Sequence, residues 1–390
     1  MFTVLSRTFR ERQVWAVAFL FLLIAVVFPL TFDIFRLNLM GKYLTYAFVA
    51  VGLVLCWGQC GILSLGQGIF FGIGGYCMAM FLKLEASTPA ETRIQTTPGI
   101  PDFMDWNQLT SLPDFWLPFH SFALTIAAIL VLPALAAGFI GYAMFRRRVG
   151  GVYFAIITQA ISAILTILII GQQGYTGGIN GITDLRTLMG WDIRTDEAKY
   201  ILYYVNALCL MLVVLFSFFV MRSKLGRLLV AVRDKEDRVR FSGYDVAGIK
   251  TLAFCFSALF SGLGGALFTL QVGFMSPGFI GIVASIEMVI FCAVGGRLSI
   301  IGAIYGALIV NGAKTTISEA MPEVWLFVMG VLFIAVVLYF PQGLAGLYRD
   351  YVTPFLHKRL SFLSPSRFAC TPTMMNAQQP IQRDDHEKNH

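Results

Sequence analysis

From Tyr200 to Met221 the chain carries no charged side chain, and the run is long enough to cross a bilayer as a helix. A second such run, Thr251–Val272, follows. In hydrocarbon every backbone N–H and C=O needs a partner within the protein, so these runs have to be helical. Between them lies Arg222–Lys250, with eight Lys or Arg and four Asp or Glu. Leu225, Leu228, Leu229 and Val232 recur there at helical spacing, which predicts an amphipathic helix. Ser223 is placed to cap its start, and Gly243 sits where it stops. Such a helix either lies on the bilayer surface or docks its polar face into another protein.

The rest of the sequence repeats this alternation. The 390 residues are 57% hydrophobic and 13% charged, about half the charged fraction of a soluble domain. The fold class is an all-α polytopic membrane protein. Apolar runs are expected at 14–30, 44–57, about 58–82, 119–145, 152–170, 200–221, 251–272, 282–294, 300–311 and 324–340. A cleavable signal is not expected at the first, because Pro29-Leu-Thr-Phe-Asp33 offers no small-x-small site. Ten spans place both termini on one side, together with Arg146-Arg147-Arg148, the 222–250 stretch and Arg297. The positive-inside rule makes that side cytoplasmic. Residues 1–13 are then a cytoplasmic segment, 14–345 the membrane body, and 346–390 a cytoplasmic tail, disordered from about 361. Loops 83–118 and 171–199 fall outside. The net charge of +7 follows this bias rather than nucleic-acid binding.

Gly58–Gly75 departs from the pattern. Six glycines between 61 and 75, with Ser64 and Gln67, are too many for an ordinary helix centre. The segment is either broken and re-entrant or tightly packed, and both remain open. Gly61-Ile-Leu-Ser64 recurs as Gly296-Arg-Leu-Ser299, a four-residue echo consistent with an ancient duplication. Neutral Gln59, Ser64, Gln67, Gln159, Ser257, Ser261, Ser285 and Asn311 fall inside spans. Glu287 is the main ionisable exception and faces a cavity or a partner. Neutral amides and hydroxyls suit a small uncharged polar solute.

No G-x-x-x-x-G-K-[ST], H-E-x-x-H or G-x-S-x-G occurs, and no Cys or His cluster suggests a metal. The chain is not expected to be an enzyme or to hold a cofactor. The seven cysteines read as small packing residues.

Three segments together resemble the permease subunits of branched-chain amino-acid type ABC importers. They are Gly58–Gly75, the run of Gly226, Arg227, Ala231 and Arg233–Glu236 through Gly243, and Gly295–Gly306. The resemblance covers about residues 14–347. Asp237–Asp245, Gln172–Gly181 and Asn311–Trp325 are most similar to the second permease of the urea branch. The resemblance implies a multi-pass protein of the bacterial inner membrane that imports urea or, alternatively, branched-chain amino acids or short amides. It implies a second permease, two cytoplasmic ATPases carrying ATP and Mg, an extracytoplasmic binding protein and surrounding lipids as partners. Gly226, Arg227, Arg233, Asp234, Glu236 and Gly243 would couple to the ATPases, with Leu228 and Val232 on the packing side. Ser64, Gln67, Gln159 and Glu287 are path candidates. A passive channel, an ion-coupled carrier and a membrane scaffold are the competing classes.

Overall fold

A computed structural model describes residues 15–90, 92–93, 95–339 and 342–347. The expected cytoplasmic segment 1–13, with Arg7, Arg10 and Arg12, and the tail from 348 lie outside the described residues. Among the described residues seven helices are long and apolar enough to span a membrane, and three more are apolar but shorter. In chain order the helices are α1 Trp15–Thr31, α2 Ile34–Gln59, α3 Gln67–Ala86, α4 Phe122–Arg146 and α5 Gly151–Gly171. There follow α6 Asp196–Arg222, the polar α7 Lys224–Phe241, α8 Val246–Val272, α9 Ile282–Gly295, α10 Ile300–Ala320 and α11 Trp325–Tyr339. The protein is thus an all-α polytopic membrane protein.

Three boundaries differ from expectation. α2 starts at Ile34 rather than Leu44, so Arg36, Asn38 and Lys42 belong to the helix. α3 runs through Lys83 to Ala86, because Asp102 reaches the buried Lys83 ammonium at 2.9 Å and compensates its charge. α10 runs nine residues past Asn311, through Gly312, and stops just short of Pro322.

α2, α3 and α8 form the centre. The apolar stretches of α2 and α3 are 83% buried, whereas those of α4 and α5 are 22% and 28% buried. The exposed Leu, Ile and Phe of α4 and α5 suit a lipid-facing surface. Central helices approach through glycine. A Cβ on Gly265 would collide with the Phe71 carbonyl oxygen, and one on Gly74 with the Gly262 carbonyl oxygen. Dispersion and close backbone approach hold membrane helices together, since lipid supplies no hydrophobic drive between them.

The ends of the bundle differ. At one end Arg146, Arg148, Glu236, Arg240, Asp245 and Lys250 surround a cavity of about 210 Å³. This joins the Arg146–Arg148 run to the 222–250 stretch. At the other end the two polar loops are tied together. The Glu85 carboxylate accepts from the Met189 and Gly190 amides, the Lys83 ammonium donates to the Thr183 carbonyl, and the Trp116 indole donates to the Tyr175 carbonyl. A two-stranded turn, β1 Thr187–Leu188 with β2 Trp191–Asp192, completes it. The Arg186 guanidinium beside Asp184 holds that carboxyl below the usual carboxylate range.

Replacing Gly265 by Leu should lower the detergent-solubilised melting temperature by several degrees, because overpacking against backbone costs about 1–3 kcal/mol. Gly312→Ala, where nothing lies within 4 Å, should leave it unchanged or slightly raised. Fluorescence-detected thermal unfolding compares them, and equal shifts would contradict the packing argument.

Candidate functional site

The glycine-rich segment is broken. Helical backbone ends at Gln59, residues 60–66 are irregular, and α3 begins at Gln67. Gly61 adopts φ +78°, a conformation that glycine takes without strain. The α3 side of the break lies at membrane depth. The Gln67 amide meets Ser257, about 16 Å from the basic end of α8 at ~1.5 Å per residue, roughly half the hydrocarbon thickness. Tight packing occurs as well, further along: Gly68 abuts the Ile280 carbonyl and Gly72 the Ile280 side chain.

Two backbone amides near the break have partners from other helices. The Leu65 amide donates to Thr158 Oγ1 at 3.2 Å, and the Gly68 amide to Ser285 Oγ at 3.1 Å. The buried Ser64 hydroxyl accepts locally from the Gly66 amide. Gln67 Nε2 donates to Ser257 Oγ at 3.2 Å, and Ser261 Oγ donates to Gln67 Oε1 at 2.9 Å. Both ends of this buried amide are therefore engaged. Gln159, half-buried on α5 next to Thr158, lies beside this network and makes none of these bonds.

The polar helix reaches the same place. Ser223 Oγ accepts from the Gly226 amide and caps α7, and Gly243 at φ +84° follows its end, as the sequence predicts. Leu229 and Val232 are buried, while Leu225 packs at the edge of the same apolar cluster and Leu228 is half-buried. Gly226 lies against the Met221 carbonyl, where no side chain fits. Arg233 then turns inward. Its guanidinium donates to the Gly58 carbonyl at 2.8 Å and contacts Asp234 at 2.9 Å. Its aliphatic stem covers Gly61. Arg297 joins from the other side, its guanidinium 5.2 Å from the Trp57 ring and its carbonyl pressed on Gly58.

The helix is kinked at Lys235, where φ −150° and ψ 77° leave the helical region. Past the kink Glu236 accepts from Arg240 at 2.8 Å and from Lys250 on α8 at 2.6 Å. Of the four charges expected to face an ATPase, Arg227 and Asp234 point outward, while Arg233 and Glu236 hold α7 to its own bundle.

Glu287 is not alone, contrary to the expectation of one main ionisable group. Its carboxylate accepts from the Lys314 ammonium on α10 at 2.7 Å. Lys314 also lies 4.2 Å from the centre of the Trp325 ring. Lys42 on α2 is within electrostatic reach of both charges. Sequence reasoning missed the two lysines because it began α2 after Lys42 and ended α10 before Lys314. The Asn311-Gly312 pair reads as a turn in sequence and hid the continuation of α10.

The family profile described as "Branched-chain amino acid transport system / permease component" matches residues 35–337. The chain is 28% identical over 352 residues to the "High-affinity branched-chain amino acid transport system permease protein LivM" of Escherichia coli (strain K12). That alignment covers 84% of this chain and 74% of the relative. It is 23% identical over 314 residues to the corresponding permease protein BraD of Pseudomonas aeruginosa, covering 77% and 92%. No solved structure matches the chain.

Arg233→Ala should speed amide hydrogen exchange across residues 60–66 by up to about tenfold, the loss of one partly solvated charge-assisted hydrogen bond. Exchange in the middle of α8 should not change. Unaltered exchange at the break would show that Arg233 does not hold it.

Proposed function

The chain belongs to the branched-chain amino-acid transport permease family, and we propose that it is a membrane-spanning subunit of an ATP-driven importer. One observation carries this reading. Arg233 of the polar helix bonds the Gly58 carbonyl in the last helical turn before the broken segment, so movement of α7 is transmitted to the junction of α2 and α3. A surface helix needs no such contact.

In this proposal α7 faces the cytoplasm, as the basic end of the bundle requires. Arg227 and Asp234 meet one of two ATPase subunits, which carry ATP and Mg. This chain supplies no catalytic residue. Leu229 and Val232 anchor the helix, and the Glu236–Lys250 bond makes α7 move with α8. A second permease forms the other half of the path, and a binding protein docks on the tied loops at the far end. Displacing α7 draws on Gly58 and shifts the junction of α2 and α3, alternating access in the inner membrane.

The solute has two readings. Asp237–Asp245, Gln172–Gly181 and Asn311–Trp325 support urea by resemblance. The printed activity of the relatives supports a branched-chain amino acid. A specific observation favours the second: Glu287 and Lys314 set opposite charges 2.7 Å apart inside the bundle. A zwitterion has a group for each, and urea has no charge.

Proteoliposomes containing the assembled importer and its binding protein should take up labelled leucine only when ATP is supplied. A tenfold excess of unlabelled urea should not compete. ATP-independent uptake by this chain alone would establish a channel or an ion-coupled carrier instead. Uptake of urea without leucine would reverse the solute reading.

A further inference from the structure

We propose that Lys42 receives the carboxylate of the transported amino acid, with the Glu287–Lys314 pair beside it taking the ammonium group. This assigns specificity-determining residues and rests on the amino-acid reading above.

The three groups come from α2, α9 and α10 and are held in register. The Tyr43 hydroxyl bonds the Thr315 hydroxyl, and these are the immediate neighbours of Lys42 and Lys314. Glu287 is 13% exposed and Lys314 30%, so both are largely covered by the bundle. Lys42 lies about 12 Å along α2 from its outer end at ~1.5 Å per residue. Glu287 lies deeper: it is two residues beyond Ser285, whose hydroxyl holds the Gly68 amide near mid-depth. A solute entering from the loop end therefore meets Lys42 first.

The charges do not balance. Lys314 is satisfied by the Glu287 carboxylate and the face of Trp325. Among the described residues no carboxylate lies within ion-pair distance of Lys42. Its ammonium lies 5.9 Å from the Phe268 ring and within electrostatic reach of Glu287 and Lys314. Two cations and one anion leave a net positive charge inside a span, where an unmatched charge is expensive and marks a pathway. One carboxylate from a ligand neutralises it. The same ligand's ammonium then has Glu287 as its acceptor. The Gln67 amide lacks this capacity, because Ser257 and Ser261 already occupy its two ends.

The test uses the full importer with its binding protein in proteoliposomes. Lys42→Met should lower the maximal rate of leucine uptake about tenfold or more, the scale of one lost charge-assisted contact. The leucine concentration for half-maximal uptake, set by capture in the binding protein, should not change. Lys42→Arg should restore most of the rate. Co-purification of the ATPases establishes assembly, and Lys42→Gln replaces Lys42→Met if the latter does not assemble. Wild-type rates in the assembled Met or Gln variant would overturn the assignment while leaving the amino-acid reading intact. Equal losses in Met and Arg variants would also overturn it. A wild-type complex that moves urea and not leucine would overturn both.

Discussion

An interrupted helix inside a bilayer is tolerated only if the protein itself satisfies the freed backbone. That constraint shapes the centre of this molecule. The chain leaves helical geometry at residues 60–66, between the exposed Gly61 beside the polar helix and the buried Gly66. Thr158, Ser285 and Arg233 come from three different elements to bond the backbone beside it. The three donors and acceptors are not interchangeable. Thr158 and Ser285 sit on apolar helices, whose positions packing fixes. Arg233 sits on the polar helix at the end of the bundle, the element best placed to be moved from outside. Of the three bonds, the Arg233 bond connects the interrupted backbone to a helix at the surface.

The placement of charge follows the same logic. Glu236 links the far half of α7 to Lys250 and so to α8, whose Ser257 and Ser261 clasp Gln67. A push on α7 consequently reaches the break by two routes, one through Arg233 and one through α8. The kink at Lys235 divides the helix between them. The charged groups toward the loop end use the opposite strategy. Lys42, Glu287 and Lys314 are held by ring faces and each other rather than by backbone, so a ligand can displace their partners without unmaking the fold.

Much of the architecture was legible in the sequence because hydrophobicity acts locally. Runs of apolar residues gave the spans, Ser223 and Gly243 gave the ends of α7, and the glycine density marked 58–75 while leaving a break and tight packing both open. What failed to show was set by distant contacts. Lys83 reads as loop until Asp102 is seen to neutralise it. Lys42 and Lys314 read as span boundaries until Tyr43 and Thr315 place them in one layer. Arg233 and Glu236 have the composition of a solvated helix face, and nothing in periodicity says that they turn back toward Gly58 and Lys250. The irregular backbone at Lys235 has no glycine or proline to announce it.

The echo between Gly61-Ile-Leu-Ser64 and Gly296-Arg-Leu-Ser299 acquires a physical meaning that differs from duplication. The first follows the second apolar helix and the second follows the eighth. Two equal halves of ten would instead pair the second with the seventh. The two segments perform one local task. In each, a glycine at positive φ ends a helix, Gly61 at +78° and Gly296 at +120°, and a serine three residues later bonds an amide at the start of the next. They also meet, through Gly58 against the Arg297 carbonyl and Arg297 against Trp57. Two helix interruptions in direct contact couple sterically, so a displacement applied to one through Arg233 is felt by the other. The junction of α9 with α10, the two helices that carry Glu287 and Lys314, is in this way mechanically joined to the polar helix at the end of the bundle.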